Sequence, residues 1–129
     1  MLEKTVEISV LYDFYNQLLT GKQRDIVDLY YNQDLSLGEI AEEFNVSRQA
    51  VYDVLKRTEK LLYQYEEKLN FIKLVNIKNE KISKMLDSII DLENELDSIP
   101  YLEQLKKRIF HVKDELYKSL NDWALMREV

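Results

Sequence analysis

Only two glycines and one proline interrupt a chain of 129 residues. A β-sandwich or α/β fold of that length needs many more punctuating residues to reverse its chain. Apolar residues recur instead at intervals of three and four, the spacing of helices buried along one face. The expected fold class is therefore all-α. Charged residues make up 33% of the chain and hydrophobic residues 46%, which suits amphipathic helices with solvated outer faces.

The same composition removes several classes of function. Cysteine is absent, so neither a disulfide framework nor a thiolate metal site can form. His111 is the one histidine and has no companion suited to ligation or catalysis. Gly21 and Gly38 stand apart, so no phosphate-cradling glycine loop exists. The carboxylates Asp25/Asp28 and Glu39/Glu42/Glu43 fall on helix surfaces, where solvated charge is expected rather than acid–base work. No enzymatic activity, metal or cofactor is expected. No apolar run approaches the roughly 18 residues of a membrane span. The start, Met1-Leu2-Glu3-Lys4, lacks the pattern of a signal peptide, and a cytoplasmic location is expected.

Two regions emerge along the chain, residues 1–70 and residues 71–129. In the first, Val6, Val10, Leu11, Phe14, Leu18 and Leu19 form one stripe. Thr20 followed by Gln23 has the form of a capping box opening a helix to about Tyr31. Asn32-Gln33-Asp34 reads as a loop. Ser36 followed by Glu39 is a second capping box, and Ile40, Ala41 and Phe44 follow on one face. Asn45 suits a left-handed helix end, and Ser47 is an N-cap opening another helix. The inner face of that helix is Ala50, Val51, Val54 and Leu55. Beyond residue 61, Leu62, Tyr65, Leu69 and Phe71 or Ile72 continue a stripe, which Asn76 and Asn79 interrupt, either at a bend, the expected case, or as polar residues that set register in an oligomer. Ile82, Met85, Ile89, Leu92, Leu96 and Ile99 then occupy heptad positions. Pro100 ends that helix. Leu102, Leu105, Ile109, Val112, Leu116, Leu120 and Trp123 form the last stripe, and the two stripes predict a helical hairpin.

Residues 36–60 have the makings of a helix-turn-helix without a wing. Small Ala41 allows a close crossing, Asn45 fills the turn, and Val46 plugs the angle. The outward residues of the second helix are Ser47, Arg48, Gln49, Tyr52, Asp53 and Lys56, with Arg57 beside them. In such modules this face enters the major groove. Arg48 suits a bidentate pair with guanine and Gln49 one with adenine. Ser47 and the helix N-terminus suit a phosphate. Lys56 and Arg57 suit the flanking backbone, and Tyr52 a base or a thymine methyl. Asp53 accepts from cytosine or repels phosphate. Tyr12, Tyr15, Tyr30 and Tyr31 are expected to pack between helices with their hydroxyls at the surface.

The stretch from Leu19-Thr20 through Gln23-Arg24, Leu29-Tyr30-Tyr31, Ser36-Leu37-Gly38-Glu39-Ile40-Ala41 and Ser47-Arg48-Gln49-Ala50-Val51 resembles the fourth region of bacterial sigma factors. The likeness to the YlxM family is closer. It adds Tyr12-Asp13-Phe14-Tyr15, Tyr52-Asp53, Lys56-Arg57-Thr58-Glu59 and Glu66-Glu67-Lys68-Leu69, and covers residues 1–70. This resemblance implies a DNA-binding helix-turn-helix protein that acts in, or regulates, protein targeting by the signal recognition particle. The chain is too short for the other regions of a sigma factor.

Net charge is −6, with 7 basic and 11 acidic residues in positions 1–60 and 11 and 13 in positions 61–129. Neither part carries the excess of lysine and arginine that drives broad phosphate binding. A DNA-binding regulator of this charge is expected to be a homodimer that gathers two half-sites, paired through the heptads beyond residue 60. The charge also suits a different role, an adaptor that meets a protein or ribonucleoprotein of the signal recognition particle machinery with little DNA binding.

Overall fold

In a computed structural model the chain is described over residues 2–99 and 102–127, with side chains placed over 3–99 and 102–120. It is all-helical, and no strand occurs among the described residues. The helices are α1 (Leu2–Tyr15), α2 (Gly21–Val27), α3 (Leu37–Phe44), α4 (Arg48–Leu69), α5 (Phe71–Leu96) and α6 (Glu103–Arg127). Two compact units form, Met1–Ile72 and Lys73–Val129. Pro100 lies outside the described residues, as does the Trp123 side chain.

Local chemistry sets the starts of α2, α3 and α4. Thr20 accepts from the Gln23 amide at 3.2 Å while Gln23 Oε1 takes the Thr20 amide at 3.0 Å. Ser36 and Glu39 repeat this exchange at 3.1 Å each way. Their bonds to Ser36 hold the Glu39 carboxyl below its ordinary range. Ser47 Oγ accepts the Ala50 amide at 3.0 Å. Each bond satisfies an amide that an open helix end would leave unpaired.

The helix expected from Thr20 to Tyr31 holds α geometry only to Val27. A wider π-helical turn follows over Asp28–Asn32. Asp28 supports it by accepting from the side-chain amides of Asn32 and Gln33, both at 2.8 Å. The stripe assigned to α1 also shifts. Val6, Val10 and Leu18 are exposed, whereas Ile8, Leu11, Tyr15 and Leu19 are buried. Tyr15 accounts for the difference, because a phenol can serve as a core residue when its hydroxyl finds a partner. Ile8, Leu11 and Tyr15 join Ile26, Val27, Ile40, Ala41, Val51, Leu55 and Leu62 in one core.

Tyr15, expected to show its hydroxyl at the surface, is 3% exposed. Its hydroxyl donates to Glu66 Oε1 at 2.5 Å and accepts the Phe71 amide at 3.3 Å. Glu66 Oε1 also takes the Ile72 amide at 3.0 Å. A tyrosine from α1 and a glutamate from α4 thus cap the start of α5. Asn70 makes the junction in left-handed geometry, at φ 53°. No break falls at Asn76 or Asn79, since α5 runs through both as one helix. The interruption falls at Asn70, where a left-handed asparagine can stop one helix and release the next.

In the second unit Ile82, Leu86 and Ile109 are buried, and Glu93 on α5 meets Lys113 on α6 at 3.0 Å. His111 is exposed on α6.

Burial and the bond to Glu66 push the Tyr15 phenol up to about 12. The unfolded chain holds it near its ordinary value of about 10. The resulting stability is fully present below about pH 10 and is lost as pH rises through about 12. Urea denaturation at about pH 8 and about pH 11 should therefore show a steeper loss for the parent than for Tyr15→Phe. Equal losses would show that the phenol does not govern alkaline stability.

Candidate nucleic-acid interface

The helix pair α3–α4 is joined by three residues. Asn45 is left-handed at φ 54°. Its amide reaches the Glu42 carbonyl at 3.3 Å, and the Val46 amide reaches that of Ala41 at 3.0 Å. This is a Schellman closure with asparagine in the position usually given to glycine. Ile40 and Ala41 from α3 and Val51 and Leu55 from α4 are buried in the common core. With that face fixed inward, the opposite face of α4 is fixed outward.

Ser47, Arg48, Gln49, Tyr52, Asp53, Lys56 and Arg57 are all exposed, on successive turns at the start of α4. Several are engaged within the helix. Gln49 Nε2 donates to Asp53 Oδ1 at 2.9 Å. Arg57 Nε donates to the Asp53 carbonyl at 3.3 Å. The Lys56 ammonium lies 5.5 Å from the centre of the Tyr52 ring, a cation–π distance. Arg48 makes no hydrogen bond or ion pair among the described residues. Its guanidinium lies across Gly38 in the first turn of α3. A Cβ at Gly38 would stand 3.0 Å from Arg48 Nε.

Two residues of these surroundings were not assigned to the site from the sequence. Gly38 is one, and its signal is a glycine inside a capping box, where better helix formers are available. Glu59 is the other. The buried positions Val51, Leu55 and Leu62 leave a gap in the α4 stripe, and Thr58 and Glu59 fill it, both buried. Thr58 satisfies its hydroxyl on the Val54 carbonyl at 2.7 Å. Glu59 accepts from the Tyr31 hydroxyl and pairs with Lys4 at 3.3 Å and Lys56 at 3.4 Å. Burial, and then the bond to Glu59, push the Tyr31 phenol upward. Tyr31 therefore also turns its hydroxyl inward, contrary to expectation.

Among the described residues no cluster of acidic or histidine side chains could hold a metal ion. No helix of the described residues is long and apolar enough to cross a membrane.

Two capped helices, an asparagine turn and an outward face on the second helix define a helix-turn-helix protein. The chain belongs to the family described as "Putative helix-turn-helix protein, YlxM / p13 like", whose pattern it matches over residues 2–107. It is 49% identical over 106 residues to a UPF0122 protein of Bacillus velezensis, covering 82% of this chain and 96% of that one. Identity to UPF0122 protein YlxM of Bacillus subtilis is 48% over 106 residues, with the same coverage. A UPF0122 protein of Bacillus cereus is 53% identical over 94 residues, 73% of this chain and 86% of its own.

Gly38 does not adopt positive φ, so its backbone accepts any residue. Only the far end of the Arg48 side chain opposes a methyl group there. Gly38→Ala should raise stability by roughly 0.5–1 kcal/mol in urea denaturation. A loss of stability would show that the seat of Arg48 outweighs helix propensity.

Proposed function

We propose that this chain is a cytoplasmic DNA-binding regulatory protein that reads the major groove through α4. The observation that carries the proposal is the Arg48 guanidinium, without a hydrogen bond or ion pair among the described residues and exposed at the N-terminal end of a helix whose other face is locked in the core. Five donors in a rigid fork match the two acceptors of guanine. Gln49 reads adenine once it leaves Asp53, and Asp53 otherwise orients it. Ser47 and the first amides of α4 hold a phosphate. Tyr52 meets a base or a thymine methyl, and Lys56 and Arg57 hold the backbone.

Selection from random-sequence duplexes, with a salt series on the selected site, tests this. An enriched site that weakens with salt and is lost on Arg48→Ala is the expected result. No enrichment at low salt rejects the reading.

One such face carries few cations, so the active species is proposed to be a homodimer, which supplies two faces. The second unit supports this. Leu92, Leu105, Val112 and Met85 remain between 45% and 47% exposed. A groove of about 390 Å³ between α5 and α6 is lined by Met85, Ile89, Val112 and Leu116 among others. Exposed apolar surface of this kind marks an interaction face. Introducing charge at Leu105 and Leu116 should give helical monomers in sedimentation. A folded dimer that survives both changes removes the hairpin as the interface.

A second reading is favoured by the net charge of −6. Here the chain is an adaptor of the signal recognition particle pathway and meets a basic protein or its RNA complex through acidic surface. Arg48→Ala leaves partner binding intact in that case. Binding to purified signal recognition particle, without duplex selection, separates this role from the first.

A further inference from the structure

Glu59 sits three residues after Lys56 on α4, at the edge of the DNA-facing surface. Its side chain is 6% exposed, whereas the ammonium-bearing side chains of Lys4 and Lys56 are 50% and 42% exposed. Both lysines reach the same oxygen, Oε2, and Tyr31 donates to the other, Oε1. A buried carboxylate is costly unless it is paired, and one cation with one hydroxyl donor meets most of that need. The arrangement therefore holds one lysine more than the carboxylate requires. The two are not equivalent. Lys4 belongs to α1, whereas Lys56 lies on the outward row of α4 and packs over Tyr52.

We propose that Glu59 withdraws Lys56 from the DNA-facing surface in the free protein, and that Lys4 is the reserve counter-cation that lets Lys56 leave. Glu59 is a positioning residue here and touches no DNA. When a phosphate arrives, Lys56 swings out to it and Glu59 keeps its charge compensated by Lys4 and its bond to Tyr31. The free protein thereby lowers its attraction to arbitrary duplex, since one of its few cations is held back. The inference rests on α4 being the DNA-reading helix.

The test uses the full chain and the duplex selected by the parent, or a random-sequence duplex at low salt if none is selected. Glu59→Gln keeps an oxygen for Tyr31 and removes the charge that holds Lys56. It should bind about two- to fivefold more tightly, the worth of a released surface ion pair. The slope of log affinity against log salt should be the same for both proteins, because Lys56 reaches a phosphate in each complex and only the cost of releasing it differs. Adding Lys56→Met should abolish the gain. Lys4→Met should weaken binding in the parent and have no effect beside Glu59→Gln.

A purely structural Glu59 would alter melting temperature without tightening binding. The proposal is overturned by an unchanged affinity of Glu59→Gln, by a gain that survives Lys56→Met, or by an equal effect of Lys4→Met in both backgrounds. If the parent still selects a site that Arg48→Ala destroys, the DNA reading stands and the gate alone fails. If the parent binds no duplex under any salt condition, both fall together.

Discussion

Helices α1, α2 and α3 close on one face of α4, and Val51, Leu55 and Leu62 on that face are at most 2% exposed. This packing decides everything else in the first unit. It sets the rotation of α4 about its own axis, and so which side chains leave the protein. Asn45 sets the angle of approach, because the turn closes only with a residue that accepts left-handed geometry. Capping by Ser36 and Ser47 fixes where each helix of the pair begins. The outward row starting at Arg48 is a consequence of burial on the far side, not of any attraction among the exposed residues themselves.

Charge on that row is scarce and largely committed. Gln49 is tied to Asp53, Arg57 to the Asp53 carbonyl, and Lys56 to Glu59. Of the row's cations Arg48, Lys56 and Arg57, Arg48 is the one without a hydrogen bond or ion pair among the described residues, resting over a glycine. Such a surface suits recognition that depends on shape and on a few directed bonds more than on bulk electrostatic attraction. The acidic balance of the chain points the same way.

Sequence reasoning recovered the elements whose signals are local. The capping residues Thr20, Ser36 and Ser47 and the left-handed Asn45 lie within three or four residues of the groups they bond. It did less well where partners are distant in the chain. Tyr15 reads as one aromatic among several until Glu66, 51 residues on, provides a bond for its hydroxyl. Val6 and Val10 look like core residues because apolar character marks burial only on average. Asn76 and Asn79 suggested an interruption because polar residues broke a stripe, yet the helix runs on through an exposed Asn76 and a half-buried Asn79, since a polar side chain alone does not break a helical backbone. Asn70 carried the true break, and its effect comes from a left-handed backbone rather than from polarity.

The α4–α5 junction bears on how copies of this chain behave together. A single residue divides a helix of 22 residues from one of 26. Were Asn70 to become helical, the two would fuse into one rod, and segments could be exchanged between molecules across it, the usual route to domain swapping. The amides of Phe71 and Ile72 are held by Tyr15 and Glu66 only while the junction is broken. In a fused rod those amides would turn to carbonyls of α4, and the part-buried phenol–carboxylate pair would lose its two amide donors. The cap on α5 therefore also favours the broken junction over the fused rod.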